Sequence, residues 1–437
     1  MNREFLWTRR QLLKGTATLT AGLALPGHRA TAATSPLNLR LTPGSIALRP
    51  NGTPSPIWQF DGSQVQRFKR GDELQVAFGN ETSTPAALNW LGITGSPATE
   101  PLTGQPPLAP ASRASFTLPL KHAGTMLIDP RLLNDGKERP ARPNVLIVDE
   151  SDKVATDRDE VLLIEDWRLR ANGTALSPGS DAKDATALFA ANGMAVQDIT
   201  LRPNERLRLR IVNGCARAVI GLKIDGIDVR VVAIDSQPSE PFPARDGQLV
   251  LAPGTRIDVM IDATPPAGSS VPIMLFGGGP PVTIAKLAID GSAVRPAPLP
   301  PATALPSNGL PAELRFQNAL RAELAFDGTA QTDWMPPNSF ALTSAPVFKA
   351  KRGRVVMLTI ANRSTSPMVV RLHGHHARLL DRLDDGWKPY WVDTLLFDTG
   401  QTQRIAFLAE HAGSWLIEAM QIGWSAPKYL RWFAIEN

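Results

Sequence analysis

Met368-Val-Val-Arg-Leu-His-Gly-His-His376 concentrates three of the six histidines of this 437-residue chain in one short segment. Read as a strand, it places His373 and His375 on one face, near enough to begin a metal site, because residues two apart share a face of a sheet. Two ligands do not complete such a site. The ordinary alternative is a strand end whose histidines bond to their surroundings. Just upstream, Val355-Val-Met-Leu-Thr-Ile360 reads as a buried strand.

Strands and turns continue away from this segment. The 39 prolines and 34 glycines, with few helix-favouring runs, predict an all-β protein of many short strands. Glu73-Leu-Gln-Val-Ala-Phe78 alternates, with Leu74, Val76 and Phe78 on one face, and Ser115-Phe-Thr-Leu118 does so more briefly. In Arg206–Val212, Leu207, Leu209 and Ile211 point one way while Arg206, Arg208 and Arg210 point the other. Ile257, Val259 and Ile261 repeat the pattern after the turn Pro253-Gly254, and Gly277-Gly-Gly279-Pro280 reads as another turn. Arg295-Pro-Ala-Pro-Leu-Pro-Pro301, continuing through Pro306 and Pro311, predicts an extended, semi-rigid linker. The chain therefore divides into residues 33–150, 151–294, a linker at 295–311, and 312–437.

The first 32 residues read as an export signal. Thr8-Arg-Arg-Gln-Leu-Leu-Lys14 resembles a twin-arginine motif, followed by the modestly apolar Gly15–Leu25 and a small-residue cleavage site, Ala30-Thr-Ala32. That run is too short, and too rich in Thr and Gly, to span a bilayer, and no other stretch is long and apolar enough. Residues 1–32 hold Arg3, Arg9, Arg10, Lys14 and Arg29 against Glu4, so removing them takes five of 46 basic and one of 41 acidic residues, and the net charge falls from +5 to about +1. No block of like charge points to nucleic acid. Cys215 is the one cysteine, which excludes an internal disulfide, and it is expected to be a small buried hydrophobe. His122 and His411 stand alone in the sequence and are expected at the surface or in packing.

Leu372-His-Gly-His375, Trp391-Val-Asp-Thr394 and Ala412-Gly-Ser-Trp415 resemble the last domain of the multicopper oxidases. Trp58-Gln-Phe-Asp-Gly62, Lys69-Arg-Gly-Asp72 and Asn80 resemble the first domain. Asp166-Trp167, Arg210-Ile-Val-Asn213 and Leu251-Ala-Pro-Gly-Thr-Arg256 resemble the middle one. The resemblance implies three consecutive cupredoxin-like Greek-key β-sandwiches. It also implies a Cys–His–His copper that accepts electrons and a three-copper cluster held by eight histidines between the first and third domains.

Position by position, those ligands are replaced. Where the family has His-Trp-His-Gly, this chain has Asn89-Trp-Leu91-Gly92; its second pair becomes Asp129 and Arg131. In the third domain, Met368 stands at the electron-accepting histidine, Arg371 at one cluster ligand and His373 at the one retained position. His-Cys-His becomes Glu418-Ala419-Met420, and the later His and Met become Trp424 and Tyr429. The resemblance thus implies no bound metal, no cofactor and no catalytic residue. It resembles, in particular, copper-free members of the family that act in cell division at the bacterial envelope.

The resulting expectation is a non-catalytic periplasmic binding or scaffold protein with an envelope protein as partner. Two rivals differ in class. One is a copper-dependent oxidoreductase, laccase-like or cuprous, which needs ligands that five histidines in the exported chain cannot supply. The other is a weak copper carrier using His373, His375 or His376 with Met368 or Met420. Two structural expectations follow from the same alignment. Met368, Ala419, Trp424 and Tyr429 should pack together in the space of the lost ligands. Arg131 and Arg371 should pair with Asp129 and Glu418 across the first and third domains.

Overall fold

The computed structural model describes residues 34–49, 52–328, 333–380 and 390–437; the expected export signal at 1–32 lies outside the described residues. Among the described residues almost every regular element is a strand, and the strands form six sheets, two each within residues 34–149, 158–289 and 320–436. Each pair of sheets closes on one apolar core, giving three consecutive β-sandwiches. The expected alternations hold. Leu74, Val76 and Phe78 of Glu73–Asn80 are buried in the first core, and Val356, Leu358 and Ile360 of Val355–Asn362 are buried in the third.

The same connection recurs three times. Each sandwich opens with a strand that pairs in parallel with a later strand of its sheet: Thr34–Ile46 with Glu73–Asn80, Arg158–Leu169 with Arg206–Asn213, and Leu320–Phe326 with Val355–Asn362. Each of these later strands ends on a buried asparagine. The side-chain nitrogens of Asn80, Asn213 and Asn362 donate to Leu108 O, Leu251 O and Asp398 O at 2.8, 2.8 and 3.0 Å. Their side-chain oxygens accept the backbone N–H two residues on, from Thr82, Cys215 and Ser364. An asparagine that mimics a backbone turn in this way stops the strand and starts the crossing to the other sheet. Cys215 is buried in the middle core, as expected.

The arginines of Arg206–Asn213 point away from the apolar core, as the alternation predicts, and they do not face solvent. The strand is internal to a six-stranded sheet, and its polar face is covered by the first sandwich. Arg208 bonds Glu150 at 2.9 and 2.8 Å and Asp258 at 3.1 and 2.7 Å. Arg210 bonds Asp159 at 2.6 and 2.7 Å, Asp258 at 3.1 Å and Thr125 Oγ1 of the first sandwich at 3.0 Å. Buried guanidinium groups are tolerated because each is met by carboxylates in fork geometry.

Arg256 joins all three sandwiches. From the middle one it donates to Asp393 of the third at 3.0 and 2.7 Å, and its Nε donates to Thr125 O of the first at 3.2 Å. Asp235 lies 3.7 Å away, and its carboxylate accepts the N–H groups of Asp393 and Thr394 at 3.2 and 3.1 Å. The proline-rich crossing is also fastened down. Arg206 donates to Leu299 O and Pro300 O, and Arg70 of the first sandwich donates to Ser307 O and Asn308 O.

Replacing Arg256 with methionine is expected to destabilise the protein by ~3–5 kcal/mol in urea unfolding, because Asp393 and Asp235 are left buried without their counter-charge. The exposed pair Lys349–Glu436, 3.9 Å apart, supplies the contrast: Lys349→Ala should cost under ~1 kcal/mol.

Candidate functional site

The strand Met368–Leu372 lies between Thr394–Phe397 and Gly413–Gln421, and its register sets Arg371 opposite Glu418 and Val370 opposite Ala419. In the first sandwich the register sets Asn89 opposite Asp129. Glu418 accepts from Arg371 Nη1 with both oxygens, at 3.1 Å each, and its Oε2 also accepts from Asn89 Nδ2 at 3.2 Å across the two sandwiches. Arg371 Nη2 donates to Pro253 O of the middle sandwich at 2.9 Å. His373 Nδ1 lies 2.8 Å from Glu100 Oε1, and His373 Nε2 lies 3.8 Å from Glu418. Glu100, in a loop of the first sandwich, also accepts the Leu416 N–H at 3.2 Å, a second bond between first and third.

All of these side chains are buried, so their charges are set by one another. Burial alone would lower the His373 pKa, but Glu100 and then Glu418 outweigh it and lift it to about 9. Burial would raise Glu418, yet Arg371, His373 and Lys428 hold it far below the usual carboxylate range. The pair at Arg371–Glu418 is therefore ionised, with a charged imidazolium beside it.

The expected pairing across the first and third sandwiches is corrected. Asp129 and Arg131 pair with each other, at 2.7 and 2.9 Å, on the short turn that follows strand Gly124–Asp129, and Arg371 pairs with Glu418 inside the third sandwich. A carboxylate at the cap of a turn captures a cation two residues on more readily than one on another sandwich. Bonds that do cross include Asn89–Glu418, Glu100–His373, Glu100 with the Leu416 N–H, and Lys428 Nζ to Arg131 O at 2.5 Å.

The remaining positions disperse into separate apolar clusters. Leu91 packs with Leu127, Leu163 and Val212 between the first and middle sandwiches. Met420 packs with Ala252 and Val369. Met368, Ala419 and Tyr429 lie in the third core, where Tyr429 sits 5.5 Å from the ring of Phe326. Trp424 is not with them, contrary to expectation: it packs with Leu176 and Ala216 of the middle sandwich, under the guanidinium of Arg168 at 5.1 Å. The strand has ended at Gln421 and Gly423 redirects the chain outward, so alignment spacing carried no information on that side chain.

The three histidines of the opening segment point three ways. His373 meets Glu100; His375 enters an aromatic cage with Trp415, Phe407 and Phe433 at 5.1, 5.3 and 5.8 Å; and His376 Nε2 bonds Asp235 O at 2.9 Å. Gly374 lets the chain turn between them, since a Cβ there would stand 2.1 Å from the Trp415 ring. His122 and His411, expected at the surface or in packing, pack beside the histidines of that segment. His122 bonds Gln237 at 3.0 Å and lies 6.1 Å from His376, and His411 lies 5.6 Å from His375. Burial keeps His122 and His375 neutral, with pKa values lowered to about 3.

The space between Asn89, Arg371, His373 and Thr394 is about 10 Å³, room for one water molecule. Among the described residues, no group of three His, Cys, Asp or Glu side chains is arranged to hold a metal ion.

Sequence profiles described as multicopper oxidase match residues 137–270 and 315–424, together more than half of the chain. The chain is 23% identical over 406 residues to the multicopper oxidase MmcO of Mycobacterium tuberculosis, which spans 79% of this chain and 76% of that protein. It is 23% identical over 274 residues to copper resistance protein A of Escherichia coli, 48% of this chain and 44% of that one. Among solved structures, a multi-copper oxidase from Pseudomonas thermotolerans superposes with a TM-score of 0.78 at 22% identity, covering 93% of this chain and 100% of that one. Lac15 from a marine microbial metagenome gives 0.75 at 24% identity, covering 92% and 100%. The likeness assigns the three sandwiches to the cupredoxin-like architecture over nearly the whole chain.

Two outcomes are expected. Arg371→Met strands a buried Glu418 and should cost ~3–5 kcal/mol in denaturant unfolding, while Arg371→Met with Glu418→Leu should cost much less. Stability should also fall on both sides of neutrality. His373, held at about 9 against an ordinary 6.5, keeps a proton that the unfolded chain loses, so its contribution is full below about pH 6.5 and is lost as pH rises through 9. His122 and His375, held at about 3, refuse protons that the unfolded chain accepts, so stability declines as pH drops from 6.5 towards 3. Urea midpoints measured across pH should show both flanks, and His373→Gln should remove the decline that His373 adds above neutrality while leaving the acid one.

Proposed function

Because the chain belongs to the multicopper oxidase family, we propose that it has kept the family's architecture and given up its copper chemistry, acting as a non-catalytic binding or scaffold protein of the periplasm. The observation that carries this reading is the Arg371–Glu418 ion pair with Asn89 bonded to it, at positions the family gives to copper ligands. A guanidinium repels a metal cation and has no lone pair to offer it, and Ala419 in place of the thiolate leaves no sulfur for an electron-accepting copper. The donor set does not fit a copper cluster, and the space beside it is too small for one.

Export by the twin-arginine route rests on the motif Thr8-Arg-Arg-Gln-Leu-Leu-Lys14, while a role in supporting the envelope or the division machinery and a protein partner there rest on the resemblance to the copper-free cell-division protein FtsP (SufI). The rival reading, a copper-dependent oxidoreductase, takes its support from the relatives' names. The carrier reading finds no support in the three histidines, which diverge.

Protein purified after copper loading is expected to be colourless in the visible range, to retain no stoichiometric copper after dialysis, and to oxidise neither phenolic substrates nor Cu(I). Tightly bound copper measured by elemental analysis, or oxidation that depends on it, would return the chain to the family's chemistry.

A further inference from the structure

The five-stranded sheet of the middle sandwich leaves its outer face open. Its strands run in the order Gln197–Leu201, Val282–Ile289, Ser270–Phe276, Ile220–Ile224 and Gln248–Leu251, and their inward residues fill the core. The outward residues Lys286, Pro272, Phe276, Gln248 and Val250 are exposed. None of the positions that the family gives to copper lies on these strands.

Apolar exposure is concentrated here. Of the six large hydrophobic side chains exposed among the described residues, Met194, Val196, Val250, Phe276 and Val282 belong to the middle sandwich, and Val250 is the most exposed at 65%. Clustered exposure of this kind marks a contact surface. Gln248–Leu251 is also the edge of the sheet, with no strand beyond it.

Register sets Phe276, Gly221 and Val250 in one row across three neighbouring strands, and Met274, Lys223 and Gln248 in the next. The row has a gap at Gly221. Its φ is not left-handed, neither of its pairings carries a bulge, and a Cβ there would make only ordinary contact, 3.6 Å from Phe276 Cβ. Among the described residues nothing therefore requires a glycine, which weakens a strand and often marks the close approach of another molecule. With strands about 4.8 Å apart, the missing side chain leaves a notch one side chain wide between Phe276 and Val250.

We infer that this notch receives Val250 of a second copy of the chain, so that two middle sandwiches pair face to face. A two-fold axis along the strands, midway between Ile220–Ile224 and Gln248–Leu251, sets Val250 of each copy over Gly221 of the other. The same rotation sets Lys223 over the partner's Gln248, so a cation meets an amide and like charges do not meet, and it carries Phe276 and Met274 past the partner's open edge. Knob and hole are both supplied by this chain. A lipid surface would use the apolar side chains and give the notch no role.

Sedimentation velocity of the whole protein, from micromolar to near-millimolar concentration, is expected to show a reversible monomer–dimer equilibrium. Val250→Lys replaces the knob with a cation that must lose its water, and it should raise the dimer Kd at least about tenfold. Gly221→Val fills the notch with a residue suited to a strand, so it should raise the Kd similarly while the urea midpoint holds or rises. That opposite movement separates contact from folding. Monomer alone at every concentration, or a dimer whose Kd neither substitution changes, would overturn the assignment. So would flotation of monomeric protein on phosphatidylethanolamine–phosphatidylglycerol vesicles that Val250→Lys abolishes, which gives the face to a lipid surface.

Discussion

A buried guanidinium cannot stand without carboxylates, and Arg256 imposes that condition on three sandwiches at once. Its side chain is enclosed, so Asp393 must come from the third sandwich and the Thr125 carbonyl from the first, each within hydrogen-bond reach. Asp235 is held close by the same charge and by two N–H groups of the third sandwich, although burial and the neighbouring Asp393 carboxylate raise its pKa to about 7. Apolar contact between sandwiches would tolerate sliding by an ångström or more; a fork of directional bonds does not. The close approach is visible in Gly92 and Gly124, where an added Cβ would meet Ser236 at 2.3 and 2.4 Å. These directional bonds fix how the first and third sandwiches sit against the middle one.

What fills that seam is a set of opposite charges. Glu418 is met by Arg371 and Asn89, Glu100 by His373, and Asp129 by Arg131. Such a set contributes modest net stability, since desolvation offsets most of the attraction, but it is intolerant of single losses. A metal cluster needs neutral imidazoles aimed at a shared point. Here the His373 imidazole carries a proton, because the carboxylates around it favour the charged form. At this seam the cations are side chains, Arg371 and His373, held by Glu418 and Glu100.

Much of the architecture was legible in the sequence, because period-two alternation at Glu73–Phe78, Val355–Ile360 and Ile257–Ile261 marks strands without reference to tertiary structure. The threefold recurrence was partly hidden: Asn80-Glu-Thr82, Asn213-Gly-Cys215 and Asn362-Arg-Ser364 are short, and only their shared bonds reveal them as one device. At the site, position along the chain was readable and side-chain direction was not. Alignment brought Arg371 and Glu418 together correctly, since both lie on paired strands. It failed for Trp424, beyond a strand end, and for Asp129, whose nearest cation is two residues away. Glu100 was missed because a loop acid carries no periodic signal, and the burial of Arg208 and Arg210 was missed because alternation does not say whether the second face meets water or protein.

The middle asparagine turn has one further property. Where the first and third sandwiches use Thr82 and Ser364, this turn uses Cys215, the only thiol in the chain, and burial pushes its pKa well above the ordinary thiol range. The thiolate is the form that attacks thiol reagents, so the sulfur is inert while the turn is closed and reactive once it opens. The rate at which a thiol reagent modifies the protein therefore measures every opening, local or global, that exposes the centre of the middle sandwich.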